Sequence, residues 1–169
     1  MIREFRAGDE PVLWTLSVLP NVGATGDPEM TLALPPAVAA PTQFGDLADV
    51  TTSFTLAGGA FLVAEHDGHL VGMGGFRPNR HGRAEVLRVR VHPAVRRAGV
   101  GRALMAGLAS RARERGLTAM FLDTATNQPE AMAFYRALGY REIGRQTRSD
   151  WSWTLVYFVK PLHSTVRPR

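Results

Sequence analysis

The stretch from Glu85 to Leu108 reads EVLRVRVHPAVRRAGVGRALMAGL, and the rest of the chain is organised around it. It opens as a strand: Val86, Val89 and Val91 are β-branched, and Arg88 and Arg90 intervene at period two. His92-Pro93 stops the strand, because proline has no N–H to give a ladder. A basic turn with two glycines follows, Arg96-Arg97-Ala98-Gly99-Val100-Gly101. A helix begins there, with Leu104, Leu108 and Ala112 at helical spacing and Arg111, Arg113, Glu114 and Arg115 on the far side. Gly116 is placed to cap its C-terminus.

Strand, glycine turn and helix together form an arrangement that binds phosphate. The first turn of a helix has unpaired N–H groups at the positive end of a dipole. Glycines let a pyrophosphate approach the backbone where a Cβ would collide with it. Arg96, Arg97 and Arg102 add charge that can pair with phosphate oxygens. Two glycines alone would fit a tight packing turn with solvated arginines; the strand, the arginines and the helix start favour the phosphate. A Walker loop is excluded, since no Gly-Lys-Ser/Thr opens the helix. A dinucleotide fold wants a third glycine where Leu104 stands, although Asp123 lies near the ~20-residue spacing of a ribose carboxylate.

Working outward, 169 residues make one domain with room for a sizeable core. A hydrophobic content of 45% against 21% charged residues marks a globular chain. No apolar run approaches the ~20 residues of a membrane span. The start, MIREFRAGDE, has no apolar core of a secretory signal. The absence of cysteine excludes disulfides, thiolate zinc sites and a cysteine nucleophile, and is compatible with a cytoplasmic location. A net charge of +5 with scattered arginines favours an anionic small ligand over a nucleic-acid surface. The five histidines show no ligand spacing and no acidic cluster joins them, so no metal is expected.

In chain order, Ile2 to Arg6 alternates as a short strand, and Pro11 opens a helix with Val12, Leu13, Leu16 and Leu19 that Pro20 stops. A long loop runs to about Pro41, and Phe44, Leu47, Val50 and Phe54 space a second helix over Gln43 to Leu56. Ala60 to Glu65 and Leu70 to Phe76 form a hairpin about Asp67-Gly68. Gly72, Gly74 and Gly75 mark a bulge or a close approach of ligand or backbone. Beyond the central helix come a strand (Thr118 to Asp123), a helix (Asn127 to Leu138, with Asn127 as candidate N-cap) and two strands (Tyr140 to Gly144 and Trp153 to Val159). The basic tail from 163 to 169 reads as frayed. Antiparallel hairpins thus precede the phosphate turn, whereas a dinucleotide fold begins with it.

The run R-R-A-G-V-G resembles the acetyl-coenzyme A signature of the GNAT superfamily of N-acetyltransferases. The later stretch NQPEAMAFYRALGY resembles that superfamily's second motif, with Asn127, Ala131, Phe134, Tyr135, Leu138, Gly139 and Tyr140 in the matching places. The resemblance spans about Ile2 to Leu162, weakest over the second helix. It implies an α+β GNAT fold as a single N-acetyltransferase domain over 1–169. Its mixed, mostly antiparallel sheet would have about seven strands, a splayed central strand and about four helices. It implies acetyl-CoA as acetyl donor, held by Arg96, Arg97, Ala98, Gly99, Val100, Gly101 and Arg102. Main-chain groups near Val89 and Val91, with Asn127, would hold the pantetheine arm. Acceptors would be primary amines of small molecules or peptides, and the resemblance allows a homodimer; neither nucleic acid nor membrane is expected as a partner.

Acetyl transfer to an amine needs a proton acceptor, because a primary amine near pKa ~10 is mostly protonated at neutral pH. The departing thiolate benefits from an acid within reach. By resemblance Tyr135 is that acid and Glu85, or a water chain, the base. Structural roles compete: Tyr135 lies on the apolar face of its helix, and Glu85 is placed to pair with Arg83 or Arg88. An acyl-CoA-binding regulatory module without efficient catalysis is the alternative reading. Acceptor choice falls to the loop from Pro20 to Gln43, the turn near His81 and the segment at Trp151 and Trp153.

Overall fold

The computed structural model describes residues 1–19 and 26–163. Pro20 as the stop of the first helix, and all of the basic tail except His163, lie outside them. Seven strands form one sheet: β1 (Ile2–Glu4), β2 (Ala60–His66), β3 (His69–Pro78), β4 (Ala84–Val91), β5 (Ala119–Ala125), β6 (Arg141–Gln146) and β7 (Leu155–Pro161). Their spatial order is β1-β2-β3-β4-β5-β7-β6. Every pairing is antiparallel except β4 with β5. The helices are α1 (Glu10–Ser17), α2 (Val100–Glu114) and α3 (Pro129–Ala137).

Local chemistry accounts for the boundaries. The β2–β3 turn places Asp67 and Gly68 at φ 49° and 77°, the two positive angles a two-residue hairpin turn with the sheet's twist requires. Both α2 and α3 end in the same reciprocal cap. Beyond α2, Leu117 N–H reaches Ala112 O and Gly116 N–H reaches Arg113 O; beyond α3, Tyr140 N–H reaches Tyr135 O and Gly139 N–H reaches Arg136 O. Gly116 and Gly139 supply the positive φ at the turn. The N-cap of α3 is Gln128, so Asn127 stands one residue outside the helix rather than capping it.

The helix expected over Gln43 to Leu56 forms differently. A 3-10 run over Thr42–Ala48 is broken at Phe44 (φ −127°, ψ 57°), and a single π-type turn follows over Thr51–Thr55. The cause is local. Asp49 accepts hydrogen bonds from the Thr52 N–H (3.0 Å) and hydroxyl (2.8 Å), and threonine and serine crowd the next turn. Three of the four expected anchors are buried even so: Leu47, Val50 and Phe54 are fully enclosed, and Phe44 is half-buried.

Two apolar layers enclose the sheet. On one face, α2 and α3 bury Leu104, Leu108, Ala131 and Met132 against Val86, Val89, Val91 and Met120. On the other, α1 and residues 42–55 bury Leu13, Leu16 and Phe54 against Phe61, Val63 and Met73. On β5 and β7 that second face carries half-exposed Phe121 and Tyr157, stacked at 5.8 Å. The glycines of β3 mark close approach, and protein atoms make it. A Cβ at Gly72 would meet Val100 and Leu104 at 3.0 Å, and one at Gly75 would meet Phe61 at 2.6 Å.

Candidate active site

The site begins with one extra residue in β4. Met73 of β3 stands opposite Arg90, and Gly75 opposite Leu87, so β4 spends three steps where β3 spends two. The surplus is taken at Arg88, whose φ of 61° is left-handed for a residue with a Cβ. Such a conformation costs about 1–2 kcal/mol. The bulge shifts the alternation, so that Val86, Val89 and Val91 all reach the core under α2 despite their uneven spacing. Arg88 is held from outside: Nε and Nη2 donate to the two oxygens of Asp46, each at 3.0 Å, and its guanidinium lies 4.5 Å from the Phe44 ring centre.

β4 has already left its parallel neighbour before the bulge is reached. β4 and β5 are in register only at Ala84 with Met120 and Glu85 with Phe121. His92 N–H bonds to Val71 O on β3, so strand alternation turns the main-chain groups of Val91 the other way, toward the gap. The carbonyls of Val89 and Val91 accept from Arg90 Nη1 (2.9 Å) and Arg96 Nη2 (3.2 Å). The gap is a cleft of about 240 Å³, whose walls include Arg88, Arg90, Asp123, Thr124, Gln128 and Tyr135.

Tyr135 is buried in its edge-on contacts with Phe134 and Tyr140, and its hydroxyl makes no hydrogen bond among the described residues. Burial pushes its pKa up to about 12, with Arg90 pulling the other way. Asp123 is exposed at the rim, yet the cleft walls partly desolvate its carboxyl and raise its pKa, which the Arg88 charge opposes. Burial pushes the Arg90 guanidinium down to about 10. Tyr135, Asp123 and Arg90 thus share one cleft with Val89.

The other expected residues are placed differently. Glu85 is half-buried at the closed end of the seam and is not among the cleft's walls. It forms no ion pair with Arg83 or Arg88; Arg88 is taken by Asp46. The turn carries exposed Arg97, Ala98, Gly99 and Arg102 around the start of α2, with Gly99 at φ 85°. Two of its members face inward. Arg96 reaches back to Val91, and a Cβ on Gly101 would meet the Phe134 ring at 3.1 Å. Asn127 is exposed, while its neighbour Gln128 lines the cleft. Trp151 and Trp153 stack on each other at 5.7 Å in the β6–β7 connection.

Two wall residues were not drawn from the sequence as members of this site. Arg90 read as one more polar residue of an alternating strand, and Asp123 was weighed only as a ribose carboxylate. Their one signal is a charge beside apolar neighbours, at Arg90 between two valines and at Asp123 closing Ala119-Met120-Phe121-Leu122. Among the described residues no cluster of His, Cys, Asp or Glu is placed to hold a metal, and no helix is long and apolar enough to cross a membrane.

Comparison with known proteins places this architecture. The sequence profile of the "Acetyltransferase (GNAT) family" matches residues 33–140. Human N-acetyltransferase 8 is 32% identical over 130 residues, covering 71% of this chain and 57% of that protein. The chain spans about half the length of the curated relatives it matches, 46% to 59% for the rat and human proteins. A Staphylococcus aureus acetyltransferase of the GNAT family superposes with a TM-score of 0.75 at 17% identity, covering 96% of this chain and 99% of that one. A Salmonella typhimurium protein solved with its cofactor acetyl-CoA gives 0.71 at 20% identity over 100% and 97%. With its opened β4–β5 seam, its basic turn at the start of α2 and a family profile matching well over half its length, this chain belongs to the GNAT family of acetyltransferases.

Proposed function

We propose that the chain transfers an acetyl group from acetyl-CoA to a primary amine of a small molecule or peptide by direct attack. The carrying observation is the cleft between β4 and β5, where unpaired strand edge, Tyr135 and an ionisable wall meet. The donor fits the residues present. The α2 N-terminus with exposed Arg97 and Arg102 suits a pyrophosphate. The main-chain groups of Val91 turned to the gap suit the amides of a pantetheine arm.

In this reading the attacking nitrogen must first lose a proton, to Glu85 through an ordered water or to Asp123, the carboxylate that lines the cleft itself. The amine lone pair then forms the new C–N bond, and the C–S bond breaks as the tetrahedral intermediate collapses. Tyr135 donates its proton to the departing sulfur. Its raised pKa keeps the phenol protonated until a thiolate appears beside it, and the Arg90 charge eases the phenolate that remains. The nitrogen sheds its second proton as the intermediate collapses; one of the two protons taken from it restores the phenol and the other leaves to solvent, which closes the cycle.

The deciding variant is Tyr135→Phe, which removes only a hydroxyl. Under conditions where a burst experiment shows chemistry to be limiting, turnover falls about 10²-fold or more, and the Michaelis constant for acetyl-CoA moves far less. Native turnover under those conditions removes Tyr135 from the acid's role. Acetyl-CoA binding by calorimetry with no thiol release from any amine points instead to a binding module.

A further inference from the structure

Arg90 is a cation set into the cleft wall without a carboxylate. Its Nε donates to Ser17 O at 3.2 Å at the end of α1, its Nη1 to Val89 O at 2.9 Å, and its face lies 5.4 Å from the Phe44 ring centre. The neighbouring arginines do have a carboxylate: Arg88 and Arg77 share Asp46 at 3.0 and 3.6 Å. Arg90 forms no ion pair among the described residues, and its Nη2 no hydrogen bond there. A guanidinium partly withdrawn from water and held only by neutral carbonyls is oriented but not compensated, which is costly unless an anion arrives. The phosphates of the donor belong to the turn at the start of α2, where Arg97 and Arg102 are exposed. The anion left for Arg90 comes with the acceptor.

Resting on the acetyl-transfer reading above, we propose that the acceptor carries a carboxylate beside its amine, as an α-amino acid or a conjugate of one does. Arg90 receives that carboxylate and Asp123 faces the ammonium. Both line the same cleft, one on β4 and the other on β5. Asp123 forms no ion pair among the described residues, so the two opposite charges are not spent on each other. Walls of opposite sign that do not close on one another suit a dipolar ligand. A guanidinium fork matches a carboxylate in geometry, which an ammonium in its place would not.

The test measures kcat/KM by thiol release for matched acceptors: L-phenylalanine, L-phenylalaninamide and 2-phenylethylamine, then L-leucine, its amide and 3-methylbutylamine. The native protein prefers each amino acid to its amide and to its decarboxylated amine by about 10- to 100-fold, the range of one charge-assisted pair. Arg90→Gln brings those ratios close to one, and Arg90→Lys restores part of them. Equal native kcat/KM across a matched set overturns the proposal, and so does an Arg90→Gln variant that slows all three acceptors by one factor. The second result leaves Arg90 only its effect on the Tyr135 phenolate and no hold on the acceptor. The native panel decides the matter even where the variants fail to fold. Thiol release from no acceptor overturns the acetyl-transfer reading together with this one, whereas amine acetylation without a carboxylate preference overturns this one alone.

Discussion

Two carboxylates flank the seam, Glu85 where β4 and β5 are still paired and Asp123 where they have parted. Both are candidates for the amine proton, and pH separates them. If Glu85 is the base, Glu85→Gln lowers kcat/KM most at neutral pH and recovers partly at alkaline pH, where more amine is already neutral. A mutant-to-native ratio flat across pH assigns Glu85 to structure; the same recovery in Asp123→Asn transfers the role to Asp123. A second residue, His92, ties the long loop to the end of β4. It is wholly buried, with Nε2 2.9 Å from Thr31 O and Nδ1 accepting the Ala94 N–H at 3.0 Å, so the neutral ring donates from Nε2. Burial first, with the Arg96 charge adding to it, holds its pKa below the ordinary 6.5. The unfolded chain therefore takes up this proton at a higher pH than the folded one. Its contribution is complete above pH 6.5 and is lost as the pH falls through the lower folded value. Denaturant titrations between pH 7.5 and 5 give a stability that declines on acidification, and His92→Gln removes that part of the decline.

At the scale of elements, the glycines of β3 set how closely its neighbours approach. Gly75→Ala drives a methyl against Phe61 and Phe54 at 2.6 to 2.8 Å, so unfolding free energy falls by about 1–3 kcal/mol in a urea titration. An unchanged midpoint means that the two rings yield freely. Elements of this kind were legible where a local signal suffices. Asp67-Gly68 marks its hairpin, Gly116 and Gly139 end their helices, and the order of elements follows from patterning. The bulge stood in the sequence too, as valines at 86, 89 and 91 spaced three and then two, but period-two alternation reads past one extra residue. Residues 43–56 kept helical apolar spacing and still lost the α-helix, because Asp49 and its threonines offer the backbone other partners. The cleft was legible in its Tyr135 and Val89 walls. Arg90 and Asp123 meet there through a parting of strands 33 positions apart in sequence, which no window on the chain displays.

For the whole molecule, the seam divides the sheet into β1–β4 and β5–β7, joined in register only at Ala84 and Glu85. A further stitch across the seam sits at the same end, where Thr118 N–H meets Gly82 O at 3.0 Å. A ligand lying along the parted edges links the strands where the ladder does not. Acetyl-CoA at a hundredfold excess over its Kd, bound to the folded chain only, adds about 2.7 kcal/mol to stability. For a domain of this size that raises the melting midpoint by on the order of 5–10 °C; no shift at a large excess of acetyl-CoA means that the folded chain does not bind it. The same division gives the fold an order of assembly. β2, β3 and β4 are consecutive hairpins whose partners are near in sequence, and α2 follows at once to cover them. A chain leaving the ribosome from its N-terminus can close that half before β7 exists. The second half then joins the sheet along a ladder two residues long while α3 packs against α2, so the space for the donor is what remains where strand pairing stops short of the helices.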